Sequence, residues 1–508
     1  MTEPCLLPAG QAARAIADRR LSARSLVESC LARIERLDPV IGAWVAVDAD
    51  RARAAADRAD AEIAAGRRRG PLHGMPYGLK DILRTAELPT RAASRLPLPE
   101  DGEEAAVHCR LRDAGAILIG KLNTYEFGTG NGAVYDDLPA PTARNPWSPD
   151  HFTGGSSTGA GAAVASGMVP LAIGTDTGGS VRLPAAACGL VGLKPTYDLI
   201  PRTGMLPNCP SQDHLGPLTR TVADAALALA AVTGSDPAIG EGSLNGLRVA
   251  VVRSFHDGDP VADPAVADGF ERAVGFLRES GAETVDRRVG PSLRDFRACG
   301  RIVNAGESFA IHRRWLADAS ATIGTALRDK LEAAAGLTAA DYLDAQRWRR
   351  ALDAALVEAM AGCDLMLCAG TMTSAPRLDD EAGCIRFTGD SAMTPFSLSG
   401  QPALVLPTGL DPTGLPIGVQ LAARPFQEAV LLRAGAALEK AIGFAGTVPS
   451  ESARAAADCA RPPVAPERDD GRAGRLARSM ADSVARIPRP LPDDLGSALS
   501  FQPTEFWS

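Results

Sequence analysis

Short apolar runs of strand character alternate with helical stretches along the 508 residues, and that alternation predicts an α/β layered fold. Three segments carry it. Leu247–Val252 reads as a buried strand and gives way to a helical pattern from Pro264 to Glu279. Val169–Ile173 is a strand-like run that enters a glycine turn, with an apolar helical run after Pro184. Ala116–Gly120 reads as a third short buried strand. No internal repeat is visible, and 45% hydrophobic residues supply ample core.

In chain order, Ala12–Leu37 reads as two helices, with Ser22 as the cap between them and Pro39 closing the second. Asp48–Ala65 interleaves Arg, Ala and Asp as a long polar helix. From 122 to 152 the aromatics Tyr125, Phe127, Tyr135, Trp147 and Phe152 gather in a chain only 5% aromatic. Core packing accounts for most of them, and one or two lining an apolar acyl or aryl pocket is the functional alternative. Residues 235–245 are rich in glycine and serine and read as a linker. The section from about 253 to 390 holds Glu307–His312 and Ala339–Arg347 at helical spacing. After about 446, Arg461–Pro466 and Pro488–Pro492 are proline-rich and bracket an arginine-studded helical stretch. Phe501, Phe506 and Trp507 give the extreme end apolar grip. Such a tail is either flexible or a strap on the body or on a partner subunit.

The chemistry concentrates in two glycine-rich segments, Gly154-Gly155-Ser156-Ser157-Thr158-Gly159 and Gly174-Thr175-Asp176-Thr177-Gly178-Gly179-Ser180. A serine hydroxyl is a poor nucleophile until a neighbour takes its proton. Glycine runs let backbone N–H groups converge on one point, which a developing oxyanion needs. Upstream lies Lys80, in Tyr77-Gly78-Leu79-Lys80-Asp81. Only five of the 53 basic residues are lysines: Lys80, Lys121, Lys194, Lys330 and Lys440. Arginine cannot give up its proton near neutral pH, whereas a desolvated lysine can. Lys80 is therefore either a neutral amine serving the serines or a structural cation paired with Asp81.

These segments, together with Val181-Arg182-Leu183-Pro184-Ala185 and Cys188-Gly189-Leu190-Val191-Gly192-Leu193-Lys194-Pro195-Thr196, resemble the amidase signature family of serine hydrolases. The similarity runs on through Asp213–Ala226, then returns at Pro395–Ala403 and Gly414–Gln420, covering roughly residues 5 to 445. The resemblance implies a large mixed β-sheet covered by helices on both faces. It implies one catalytic unit over 1–445, with a variable, substrate-shaping section at about 253–390, and a tail over 446–508. Carried over position by position, Ser180 is the nucleophile, Ser156 the bridging serine after a cis Gly155–Ser156 bond, and Lys80 the terminal base. The oxyanion hole falls to the backbone N–H groups of Thr177, Gly178, Gly179 and Ser180. Tyr125, Phe127, Met205 and Leu206 are the candidate pocket residues.

Rival chemistries are poorly served. His73 and His151 lie near the motifs in sequence, but neither serine sits in a Gly-x-Ser-x-Gly elbow. The ten cysteines are scattered with no Cys-x-x-Cys or His-Glu-x-x-His pattern, so no metal and no cofactor are expected. Gly154–Gly159 lacks the Gly-Lys-Ser/Thr ending of a phosphate loop. A net charge of −8 argues against nucleic acid, and no apolar run is long enough for a membrane span. No secretory pattern opens the chain, so a cytoplasmic location is expected.

The resemblance implies hydrolysis of the C–N bond of small or aryl amides, extending to carbamates, whose carbonyl is attacked in the same way. A small-molecule substrate is expected, with a homodimer among the assemblies. Two alternatives share the motifs: the glutaminase component of a tRNA-dependent amidotransferase, and a hydrolase of urea derivatives such as biuret or allophanate. A catalytically dead binding protein is the reading from another class, opposed by three intact catalytic positions.

Overall fold

The structure is a computed structural model that describes residues 3–99, 102–130, 135, 137–235, 243–318, 320–444, 446–449 and 472–488. The first third comprises α1 (Ala9–Ala17), α2 (Ala23–Ile41), β1 (Trp44–Val47), α3 (Ala49–Ala64), β2 (Pro76–Lys80), α4 (Ala106–Asp113), β3 (Ile117–Leu122), β4 (Arg144–Asn145) and β5 (Ser148–Phe152). The middle adds α5 (Thr158–Ala165), β6 (Leu171–Asp176), α6 (Arg182–Cys188), β7 (Val191–Lys194), β8 (His214–Thr219), α7 (Val222–Thr233), β9 (Arg248–Val252), α8 (Pro264–Glu279) and β10 (Glu283–Arg287). The rest is α9 (Leu293–Ala317), α10 (Thr325–Ala334), α11 (Ala339–Ala359), β11 (Leu365–Ala369), α12 (Glu381–Gly389), α13 (Thr394–Ser399), β12 (Ala403–Leu410), β13 (Pro416–Ala423), α14 (Glu428–Ile442) and α15 (Arg472–Ala485).

Eleven strands form one mixed sheet in the order β1-β3-β2-β6-β8-β7-β12-β13-β11-β9-β10. Strands β2 and β6 run parallel, while β6, β8, β7, β12, β13 and β11 pair antiparallel in succession. Strands β6, β7, β11 and β13 are buried at every residue, as befits a sheet covered by helices on both faces. One apolar core joins the sheet to α7, α8 and α14, and another joins it to α2, α3, α5 and α6.

Local chemistry sets most boundaries. Ser22 caps α2 by accepting from the Ser25 N–H, and Asp48 caps α3 by accepting from the Arg51 N–H. Pro39 does not close α2, contrary to the expectation: the helix runs on to Ile41 and ends at Gly42, φ 66°. So near the C-terminus a proline removes only one hydrogen bond, and the left-handed glycine makes the stop. Likewise α6 begins at Arg182, two residues before Pro184, because a first turn tolerates proline. The helical stretch expected in the tail forms as α15. Residues 236–242 of the expected linker, the proline-rich residues 461–466 and 489–492, and Phe501, Phe506 and Trp507 lie outside the described residues.

Two local features position the site. Between Tyr77 and Gly78 the β2–β3 register jumps from Leu118 to Gly120, so Ile119 is an extra residue in β3, a bulge. Gly159, in the first turn of α5, lets that helix approach other backbone: a Cβ there would lie 2.2 Å from the Ala43 carbonyl oxygen and 2.4 Å from the Asn123 nitrogen. Backbone cannot swing aside as a side chain can. Gly159→Ala is expected to cost about 1–3 kcal/mol, read as a lowered urea midpoint at unchanged m-value.

Candidate active site

Strand alternation decides what Lys80 does. It ends β2 fully buried, and its Nζ lies 2.8 Å from Ser156 Oγ and 2.8 Å from Thr175 Oγ1. Asp81, the next residue, points the other way and pairs with Lys121 Nζ at 3.3 Å. The ion-pair reading of Lys80 with Asp81 is thereby overturned: the carboxylate belongs to Lys121. Burial pushes the Lys80 pKa down to about 7, against the pull of the Asp176 and Asp213 charges. A lysine held there is readily neutral near physiological pH.

The peptide bond between Gly155 and Ser156 is cis. Ser156 and Ser180 open into one cavity of about 220 Å³, whose wall also includes Tyr125, Thr177 and Gly178. A Cβ on Gly155 would sit 2.5 Å from the Tyr125 ring, so the glycine gives the tyrosine its place beside Ser156. The Tyr125 hydroxyl is buried without a protein partner among the described residues.

The second glycine loop is organised by Asp176, at the end of β6. Its carboxylate takes the Arg182 guanidinium in a bidentate pair, Oδ1–Nη2 and Oδ2–Nε each 2.9 Å, with both side chains fully buried. It also accepts from the Gly179 N–H at 2.8 Å and the Val181 N–H at 3.2 Å. Arg182 holds the carboxyl well below the usual carboxylate range. Arg182 continues to Gln420 Oε1 at 2.7 Å and Ser397 Oγ at 2.8 Å, tying the loop to β13 and α13. Thr177 Oγ1 donates to Asp213, which also accepts from the N–H groups of Asn208 and Cys209.

This wiring corrects the expected anion-binding set. Gly179, at φ 125°, has its N–H committed to Asp176, whereas the N–H groups of Thr177, Gly178 and Ser180 make no hydrogen bond to protein among the described residues. Three donors, not four, remain available.

Of the four candidate pocket residues, only Tyr125 lines the cavity. Phe127 packs on the His312 ring at 4.6 Å, in a separate apolar cluster with Ile82, Leu327 and Leu331. Met205 and Leu206 pack against the same cluster. Apolar side chains beside a motif had a hydrophobic neighbour to bury against, and took it. The histidines are likewise occupied elsewhere. His73 pairs with Glu62, His108 with Tyr77 and Glu87, His151 with Ser148, and His214 with the Gln212 carbonyl. Among the described residues no histidine lines the cavity. One carboxylate–histidine group, Glu87, Glu104 and His108, comes together there, and it too lies off the cavity wall.

Sequence reasoning missed Thr175, the second partner of Lys80, although it stands inside the motif. It also named the section 253–390 as substrate-shaping without naming its cavity residues, among them Arg297 and Arg301 of α9 and Lys330 of α10. Arg297 pairs with Asp390 at 3.2 Å, and Lys330 Nζ donates to Asn208 Oδ1 at 2.9 Å. Burial lowers the Lys330 pKa to about 8.

Comparison with known proteins accords with this geometry. The family model described as Amidase matches residues 25–432. The A subunit of glutamyl-tRNA(Gln) amidotransferase from Anaeromyxobacter sp. (strain K) is 38% identical over 484 residues, 87% of this chain and 97% of that protein. Among solved structures, the peptide amidase from Stenotrophomonas maltophilia superposes with a TM-score of 0.73 at 27% identity, over 90% of this chain and 98% of that one. The corresponding glutamyl-tRNA(Gln) amidotransferase component of Thermotoga maritima gives 0.68 at 28% identity, over 86% and 94%. No helix among the described residues is long and apolar enough to cross a membrane. A family model spanning most of the chain, and a relative matched over nearly its whole length, place this protein in the amidase signature family.

Proposed function

We propose that this chain cleaves the C–N bond of a small amide through a serine nucleophile, Ser180, served by Ser156 and Lys80. The observation that carries the reading is the buried Lys80 amine, 2.8 Å from Ser156 Oγ, while the neighbouring Asp81 carboxylate is taken by Lys121. In the proposed cycle Ser180 Oγ attacks the amide carbonyl as its proton passes through Ser156 to neutral Lys80. The oxyanion is received by the N–H groups of Thr177, Gly178 and Ser180, each donor lowering the barrier by about 3 kcal/mol. The relay returns the proton to the departing nitrogen, since an amide anion is a very poor leaving group. Water then attacks the acyl-enzyme, releases the acid and restores Ser180. The catalytic unit is taken to run to about residue 445.

Two readings of the substrate remain in play. The curated relative from Anaeromyxobacter belongs to an amidotransferase, and its 38% identity supports glutamine as the amide, cleaved together with partner subunits. That comparison weighs more heavily than the expectation of a stand-alone hydrolase of aryl amides or carbamates. The peptide amidase likeness, with its higher TM-score, supports the stand-alone reading. A substrate panel decides. The purified chain is offered glutamine, a short aliphatic amide, an anilide and an aryl carbamate, with Ser180→Ala as blank. Turnover of glutamine alone, or none until partner subunits are supplied, selects the first reading. Turnover of the other amides, lost in the variant, selects the second. Activity undiminished in Ser180→Ala would dismiss the nucleophile.

A further inference from the structure

The cavity above Ser180 has a wall that comes from the far end of the chain. Helix α15 lies beyond residue 432, where the family match ends, yet its Leu476 and Met480 line the same cavity as Ser156 and Ser180. Its sequence explains the placement. Leu476, Met480, Ser483 and Ile487 recur at i, i+4, i+7 and i+11, one face of a helix, while Arg475, Arg478 and Asp482 face solvent. Met480 and Ile487 are buried in the core shared with α9 and α11. Polar contacts fix the helix at its middle and at its C-terminal end. Arg301 of α9, itself a cavity residue, donates to the Ser479 carbonyl at 3.1 Å, to the Ser479 hydroxyl and to Ser483 Oγ at 3.4 Å. Arg486 pairs with Asp295 near the start of α9 at 3.1 Å.

We propose that α15 is part of the substrate site, with Leu476 and Met480 forming its apolar side and setting how large a group the substrate carries beside its scissile carbonyl. The proposal rests on the reading of Ser180 as the nucleophile. Of the two substrate readings it favours the stand-alone hydrolase, acting on an amide with an apolar substituent seated against a helix that the family model does not include. Arg301 is a positioning residue here: it holds α15 through the two serines.

The test uses the full chain and two fluorophosphonates that modify Ser180, one carrying an ethyl group and one a phenylbutyl group. Leu476 is the residue of choice because it is only half-buried. In Leu476→Trp the ratio of phenylbutyl to ethyl labelling rates is expected to fall at least tenfold. In Leu476→Ala the ratio is expected to rise, and in Arg301→Met it is expected to shift as the helix loosens. A merely structural helix would change both rates together and leave the ratio alone. Ratios unchanged in Leu476→Trp and Met480→Ala, with melting temperatures near that of the unaltered chain, would overturn the proposal. Failure of both probes on the unaltered chain counts against the Ser180 reading instead. The wall is then decided by thermal shift with 4-phenylbutanamide: stabilisation lost in Leu476→Trp upholds it, and its absence in the unaltered chain refutes it.

Discussion

Lys80→Met is expected to lower kcat by about ten-thousand-fold or more, the scale on which a nucleophile's proton relay is lost when one member is removed. Methionine is close in length and keeps the apolar stem packed, but it offers no lone pair of amine basicity to Ser156. In the unaltered chain kcat/KM should rise with pH through about 7 and level off above it, because the amine acts in its neutral form and burial places its pKa at about 7. Below that value the lysine is protonated and the relay has no acceptor. The stability effect runs the other way. A lysine whose folded pKa is depressed opposes folding increasingly as pH falls from its unfolded value toward 7, and by a constant amount below. Lys80→Met should therefore melt no lower than the unaltered chain at pH 7. Retention of a tenth of the activity, or a rate that falls as pH rises through 7, would refute the assignment of Lys80 as the base.

Asp176→Ala should damage folding as well as catalysis. The variant leaves Arg182 fully buried with Gln420 and Ser397 as partners but no countercharge. Removing one partner of a buried ion pair costs about 3–5 kcal/mol. The Gly179 and Val181 N–H groups also lose their acceptor. The turn that aims the N–H groups of Gly178 and Ser180 then has no fixed point, so kcat should fall even under conditions where the chain is folded. Equilibrium urea unfolding followed by kcat well below the midpoint separates the two effects. A loss below about 1 kcal/mol would mean that the loop is held by other contacts. Asp176→Asn sharpens the test, since it keeps the shape while turning an N–H₂ group toward the guanidinium.

What the sequence disclosed and what it withheld divide along physical lines. The grouping of Lys80, Ser156 and Ser180 was legible because the chemistry proposed for them calls for glycine-rich backbone at fixed places, and the runs before both serines stand out in a row of letters. The α/β alternation was legible too: Leu247–Val252 is a short apolar run of strand length, and Pro264–Glu279 carries a helical period. The cavity residues of α9 were not. Arg297 and Arg301 sit one turn apart on α9, a spacing that reads as a solvated face until α15 is seen packed over it. Phe127, Met205 and Leu206 misled because an apolar residue near a reactive motif looks the same whether it faces substrate or a neighbouring cluster. Gly179 misled in a subtler way. Its place in the loop suggests an anion donor, and only the position of the Asp176 carboxylate reveals that its N–H is already taken.

The bulge at Ile119 has a consequence for charge. With that extra residue in β3, Lys121 stands level with Leu79 and shares a face with Asp81, while Lys80 stands level with Leu122 on the other face. In a regular ladder Ile119 would stand opposite Gly78, and the one-residue slip would set Lys121 level with Lys80. Two buried ammonium groups would then compete for one side of the sheet, and Asp81 would be left alone on the opposite one. The bulge acts as an insulator between two buried amines: Lys121 has the Asp81 carboxylate at 3.3 Å, while Lys80 is kept clear of it, as the proposed role of base requires.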